Sequence, residues 1–201
     1  MNCSSNTQIH LPRRDHVQYL HGKERSWIEL STREEVLTGE FSSPTGVRFR
    51  QIHSSEKGLR KLHLVVRQDV LPAIRAFWTT MLKARAEQKE KLLIVHVGPG
   101  QSIEFEGVED GIALDQTYSG YHICIYIKDW EAAYCRFLER NLLFLDHSFD
   151  DKFSTLEQAR LAQQFRAKDV TVKEKVVVFE LELEIRSMSH PQFKMKRYVA
   201  H

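Results

Sequence analysis

One pattern occurs twice in this chain, and it limits the folds open to it. The apolar run Leu62-His63-Leu64-Val65-Val66 is followed by Asp69 and then by Val70, Ile74, Phe77, Trp78, Met81 and Leu82 at helical spacing. The run Tyr121-His122-Ile123-Cys124-Ile125-Tyr126-Ile127 is followed by Asp129 and then by Trp130, Ala133, Tyr134, Phe137 and Leu138 at the same spacing. Asp69 and Asp129 stand where an N-cap belongs, its carboxylate accepting from backbone N–H groups that lack helical partners. Each copy therefore reads as a strand, a capped helix and further strands. Such a unit cannot bury both faces of its sheet alone, so the two copies are expected to pack together.

After the first helix, residues 92–97 and 102–106 read as strands joined by the turn Gly98-Pro99-Gly100. After the second, residues 142–145, 164–170 and 176–185 read as strands, with a short helix over 155–163 and the last turn within 170–175. The expected fold is α+β: two tandem βαβββ-type units, about 58–112 and 118–193, pairing into one curved mixed sheet around a cavity, with helices on the outer face. The first unit is short between helix and strands, so one of its four strands is expected to be missing or brief. Residues 1–44 read as an N-terminal extension, polar and weakly periodic. Within it, 27–30 suit a short strand, and Ser31 with Glu34 suits a capping box opening a helix. The turn material at 42–46 marks a boundary; the domain then runs over 45–195 and a tail over 196–201.

The 201 residues carry 29 basic and 27 acidic side chains, a formal net charge of +2. That near-balance, with the basic residues scattered, gives no reason to expect a nucleic-acid partner. No apolar run has the length of a membrane span. Three cysteines, Cys3, Cys124 and Cys135, form neither a disulfide framework nor a CxxC metal pair. A reducing, cytoplasmic setting is expected. The acid-poor stretch over residues 1–23 leaves an organelle transit segment as the alternative.

Strand alternation sorts the chemistry-bearing residues. His122, Cys124 and Tyr126 share the face opposite Ile123, Ile125 and Ile127. His63 and Val65 lie opposite Leu62, Leu64 and Val66; Glu104 and Glu106 lie opposite Ile103 and Phe105. Glu180, Glu182 and Glu184 lie opposite Phe179, Leu181, Leu183 and Ile185. Each unit thus offers a histidine on its first strand and glutamates on its last. If these converge, they make a two-His, two-carboxylate set of the kind that binds Zn, Ni, Mn or Fe(II) with positions open for substrate oxygens.

These residues carry a resemblance. Gly120-Tyr121-His122-Ile123-Cys124-Ile125-Tyr126-Ile127 resembles the opening of a second unit in the glyoxalase I/bleomycin resistance/extradiol dioxygenase (vicinal oxygen chelate) superfamily. Phe179-Glu180-Leu181-Glu182-Leu183-Glu184-Ile185-Arg186-Ser187 with His190-Pro191, and Gln164-Phe165-Arg166-Ala167-Lys168-Asp169, resemble the closing strands of a glyoxalase-like subgroup. The resemblance covers about residues 58–193. It implies metal ligands at His63, Glu104 or Glu106, His122, and Glu182 or Glu184, and a divalent metal as cofactor.

Three readings stay open. The first is a metal-dependent lyase or dioxygenase acting on a small vicinal-oxygen substrate, with Glu182 or Glu184 moving the proton. The second is a metal-free accessory subunit of a larger complex, in which the glutamates pair with basic residues such as Arg166 and Lys168. The third is a small-molecule binder without chemistry. Partners are accordingly a small substrate or other protein subunits, a homodimer included. Against all three stands the plain reading that the histidines are ordinary strand residues and the glutamate row faces water. Cys124 reads as a small buried residue lining the pocket beside Tyr126, and His190-Pro191 as a terminating turn.

Overall fold

The computed structural model describes residues 9–10, 27–32, 39–42, 48–55, 58–109, 122–144, 153–173 and 176–195. In chain order these form β1 (Ile9–His10), β2 (Trp27–Thr32), β3 (Gly39–Ser42), β4 (Arg48–His53) and β5 (Gly58–Arg67). A 3-10 turn at Gln68–Val70 leads into α1 (Leu71–Met81), followed by β6 (Arg85–Lys89), β7 (Leu92–Gly98) and β8 (Gln101–Val108). The rest comprises β9 (Ile123–Ile127), α2 (Trp130–Glu139), α3 (Leu156–Ala162), β10 (Gln164–Lys173), β11 (Val176–Ser187) and α4 (Pro191–Met195). Among the described residues, no helix is long and apolar enough to cross a membrane.

The first unit is a complete βαβββ motif with strand order β5-β8-β7-β6, its first and last strands running parallel. The short strand expected to be missing is β6, Arg85-Ala86-Glu87-Gln88-Lys89. It has no β-branched or aromatic residue, and it lies at the sheet's edge, where charge opposes pairing with a further strand. The second unit repeats the order as β9-β11-β10, again with first and last strands parallel. Here, among the described residues, the counterpart of the fourth strand is a bridge between Leu143 and Ala167.

Hydrogen bonding divides the strands into a four-stranded sheet, β1-β9-β11-β10, and a seven-stranded sheet, β3-β4-β2-β5-β8-β7-β6. Three of the seven strands, β2, β3 and β4, come from the N-terminal region, where β2 lies antiparallel to β5 and parallel to β4. Ser31 and Thr32 end β2; the rest of the helix expected from Ser31 lies outside the described residues, as does the boundary near residue 44.

Both units share one hydrophobic core. Leu62, Leu64, Ile103 and Phe105 contribute from the larger sheet, and Ile123, Ile125, Leu183 and Ile185 from the smaller. Aromatic edges join them: Phe77 of α1 meets Phe137 of α2 at 5.6 Å, and Phe105 meets Phe179 at 6.1 Å, both edge-on. The helices bury the expected faces except Leu138, which is 52% exposed. Arg136 of α2 donates through Nε to the carbonyl of Met81 at 2.8 Å, closing the end of α1 with a cation from the other unit.

Two N-caps differ from expectation. Helix α1 begins at Leu71, and Asp69 accepts instead from Arg67 at 2.7 Å. Asp129 does occupy the N-cap of α2, but its side chain makes no capping bond. By contrast, α3 has a full capping box between Thr155 and Gln158.

Candidate functional site

The residues singled out above lie on the sheet faces turned away from the shared core. In the larger sheet, His63 pairs in register with Glu104 on β8 and with Trp27 on β2. Its Nε2 lies 2.9 Å from Glu106 and its Nδ1 3.5 Å from Glu104, while Lys61 binds Glu104 at 3.0 Å. The Trp27 indole stacks flat on the imidazole, 5.0 Å between centroids. Arg50 lies over that indole at 4.3 Å and binds Glu40 at 2.8 Å. One line of contacts thus crosses five strands, from Glu40 to Glu106. Burial raises the Glu104 pKa, but bonds from His63 and Lys61 outweigh it and leave the carboxyl below its ordinary value.

In the smaller sheet, Glu182 and Glu184 are only 4% and 5% exposed, so this row does not simply face water. Arg166 stands directly opposite Glu184 in the β10–β11 ladder and Lys168 opposite Glu182. The ion pairs nonetheless run diagonally, Arg166 to Glu182 at 2.9 Å and Lys168 to Glu180 at 2.6 Å. The reason lies on β9 and β11: Glu184 is already held by His122 Nε2 at 2.9 Å and by Arg186 Nε at 2.7 Å. Burial pushes Glu184 up, yet the His122 bond and the Arg186 charge bring its pKa down to about 2. Arg186 also donates to the Tyr126 hydroxyl at 3.1 Å. Burial, with the neighbouring Cys124, raises the Tyr126 pKa. Cys124 is itself buried, as expected of a small packing residue.

The two units therefore make a matching contact, a histidine on the first strand (His63) or just before it (His122) against a last-strand glutamate. The structure brings together His63, Glu104 and Glu106 in one cluster, and His122 with Glu184 in another, while Glu182 belongs to Arg166. Sequence reasoning missed Arg186 and Trp27. Arg186 continues the alternation of 180, 182 and 184 and was legible on that ground. The position of Trp27 over His63 depends on a long-range register that the sequence does not display.

The glutamates of this donor set are held by basic side chains and by the histidines themselves. An ionised carboxylate only accepts hydrogen bonds, so each His–Glu contact requires a proton on the ring nitrogen. A ring nitrogen bonded in this way has no lone pair for a metal, while the second nitrogen of the same ring keeps its own capacity to bind. Arg166 and Arg186 already place cations against Glu182 and Glu184. Among the described residues, no group of three or more His, Cys, Asp or Glu side chains is placed to hold a metal ion.

The paired βαβββ units answer the resemblance seen in the sequence. The fold is α+β, built from two βαβββ-type units. No family model matches the chain, and neither does any curated protein. Among solved structures, a lactoylglutathione lyase from Agrobacterium tumefaciens is similar at 14% identity and a TM-score of 0.38, over 67% of this chain and 96% of that one. A glyoxalase I from Zea mays is similar at 12% identity and a TM-score of 0.45, over 87% of this chain and 64% of that one.

Proposed function

We propose that this chain is a metal-independent, non-catalytic subunit that keeps a glyoxalase-type fold as a scaffold within a larger complex. One observation carries this reading. The buried acids Glu182 and Glu184, at positions where the resemblance implies metal ligands or a catalytic base, are held by the guanidiniums of Arg166 and Arg186, and Glu184 also by the His122 ring. A buried acid held by a guanidinium is costly to separate from it, because either charge left alone would be desolvated without compensation. The charges on this face are committed to the cohesion of the β9-β11-β10 sheet, and the matching set on β5 and β8 to that of the larger sheet.

A second reading is favoured by the matched His63–Glu106 and His122–Glu184 contacts, one in each unit. In it, His63, Glu106, His122 and Glu184 would hold a divalent metal that would supply Lewis-acid chemistry, and the chain would act as a lyase or dioxygenase on a vicinal-oxygen substrate. The two are separated by thermal denaturation with Zn, Ni, Mn or Fe(II) added to the metal-free protein, alongside turnover assays on α-ketoaldehydes and catechols. The proposed reading expects an unchanged midpoint and no turnover. A saturable rise in midpoint together with turnover on either substrate class would replace it with the second.

A further inference from the structure

The polar face of the smaller sheet is covered at one end by the chain that follows β11. After Ser187 the backbone is tied to β9 by Met188 N–H donating to the Ile127 carbonyl at 3.1 Å. It then turns on itself: His190 N–H donates to the Ser187 carbonyl and Phe193 N–H to the His190 carbonyl, each at 2.9 Å, while Gln192 N–H donates to His190 Nδ1 at 3.2 Å. This turn and α4 lay His190, Gln192 and Phe193 on the sheet, with the His190 ring edge-on to Tyr126 at 6.3 Å. The Phe193 ring rests on Tyr126 at 5.1 Å, and the Gln192 carboxamide oxygen accepts from Arg186 Nη1. Tyr126 is thereby 1% exposed, whereas Pro191 and Gln192 remain on the surface.

The covering segment displays the chemistry it covers. A planar oxygen acceptor sits on a guanidinium, and an aromatic ring sits on a phenol ring beside it. The acceptor is a neutral amide, which makes a weaker bond to Arg186 than a carboxylate would. The segment carries an exposed Gln192 and a one-turn helix, which has little stability of its own. We infer that residues 189–193 form a displaceable strap, closed over a binding site for an aromatic carboxylate whose anion takes the place of Gln192 on Arg186 and whose ring takes the place of Phe193 on Tyr126. Tyr126 Oη, which accepts from Arg186 Nη1, keeps the guanidinium plane aimed at the site. The buried Glu184 on the other edge of Arg186 limits the site to one negative charge. This inference stands apart from the proposed scaffold role, since the site needs no metal and no reaction.

The test titrates the full chain with 3-phenylpropionate, and with its uncharged amide as control, by isothermal calorimetry. The strap variant Gln192→Ala/Phe193→Ala should bind the acid about tenfold or more tightly than the original chain, because closure lowers the fraction competent to bind. The amide should bind at least about tenfold more weakly than the acid, as expected on loss of a charge-assisted bond. Arg186→Lys, in the strap variant, should lose the preference for acid over amide. Amide hydrogen exchange gives a second readout that needs no variant: saturating acid should speed exchange at His190 and Phe193 while leaving Leu183 and Ile125 protected. Equal affinity in the original chain and the strap variant, equal binding of acid and amide, or unchanged exchange at His190 and Phe193 under saturation would each overturn the inference.

Discussion

Arg166 reaches past the residue directly across the ladder, Glu184, to bind Glu182, with 9% and 2% of the two side chains exposed. The diagonal follows from competition, since Glu184 already has Arg186 and His122. Glu182 is thus a member of a buried ion pair, and removing one partner leaves the other desolvated and uncompensated. Arg166→Ala or Glu182→Ala should each cost about 3–5 kcal/mol, read as a lowered urea midpoint. The double replacement Arg166→Met/Glu182→Leu should recover most of that loss, because apolar packing often equals or exceeds a buried pair. Additive losses in the double variant would show that the two residues do not act as a pair.

The second prediction concerns acid. Glu184 has a pKa of about 2 against an ordinary 4.5. A depressed carboxyl contributes stability that is present above 4.5 and is lost as pH falls through about 2. Converted at 1.36 kcal/mol per unit, that contribution is on the order of 3 kcal/mol. Glu184→Gln should be less stable by that amount at pH 7, and the gap should close between pH 5 and pH 2 in denaturant titrations. A gap that stays constant over that range would refute the assignment.

Asp169 behaves in the opposite sense. It shares the core-facing side of β10 with Phe165 and Ala167, and burial raises its pKa well above the ordinary 3.8. An acid with a raised pKa stabilises the fold below its unfolded value and loses that contribution as pH rises toward the folded value. Asp169→Asn should therefore melt higher than the original chain at pH 7.5, with the difference shrinking toward pH 4. A variant that melts lower at pH 7.5 would mean that the ionised carboxylate is used.

The link between units is open to the same kind of test. Arg136 Nε donates to Met81 O at 2.8 Å, and burial lowers its pKa. Arg136→Leu keeps the apolar stem but removes the charged donor, and should cost about 1.5–3 kcal/mol. Hydrogen exchange should show the loosening concentrated at the end of α1. A loss spread evenly over both units, or none, would count against the capping role.

Much of the architecture is legible in the sequence because strand and helix periods act locally. The runs 62–66 and 121–127 announce the first strand of each unit, and alternation alone puts His63, Glu104, His122 and Glu184 on faces away from the core. Long-range register is not legible. Nothing in the sequence says that Trp27 would stack on His63, or that Arg166 would choose Glu182 over Glu184. Strand β6 escapes detection because its residues are chosen for a solvent-exposed edge, and so carry no apolar period. Asp69 looks like a cap, but Arg67, two residues away, is the nearer and stronger partner. Asp169 is a different case: alternation with Phe165 and Ala167 already places it inward.

The most direct measurement is the metal content of the full chain, purified without a His-tag or added metal and compared with His122→Ala by elemental analysis. If His122 and Glu184 form an internal pair, both proteins contain no stoichiometric Zn, Ni, Mn or Fe, and His122→Ala differs only in stability. Near-stoichiometric metal in the original chain that disappears in His122→Ala would contradict the account and return His122 to the role of a ligand.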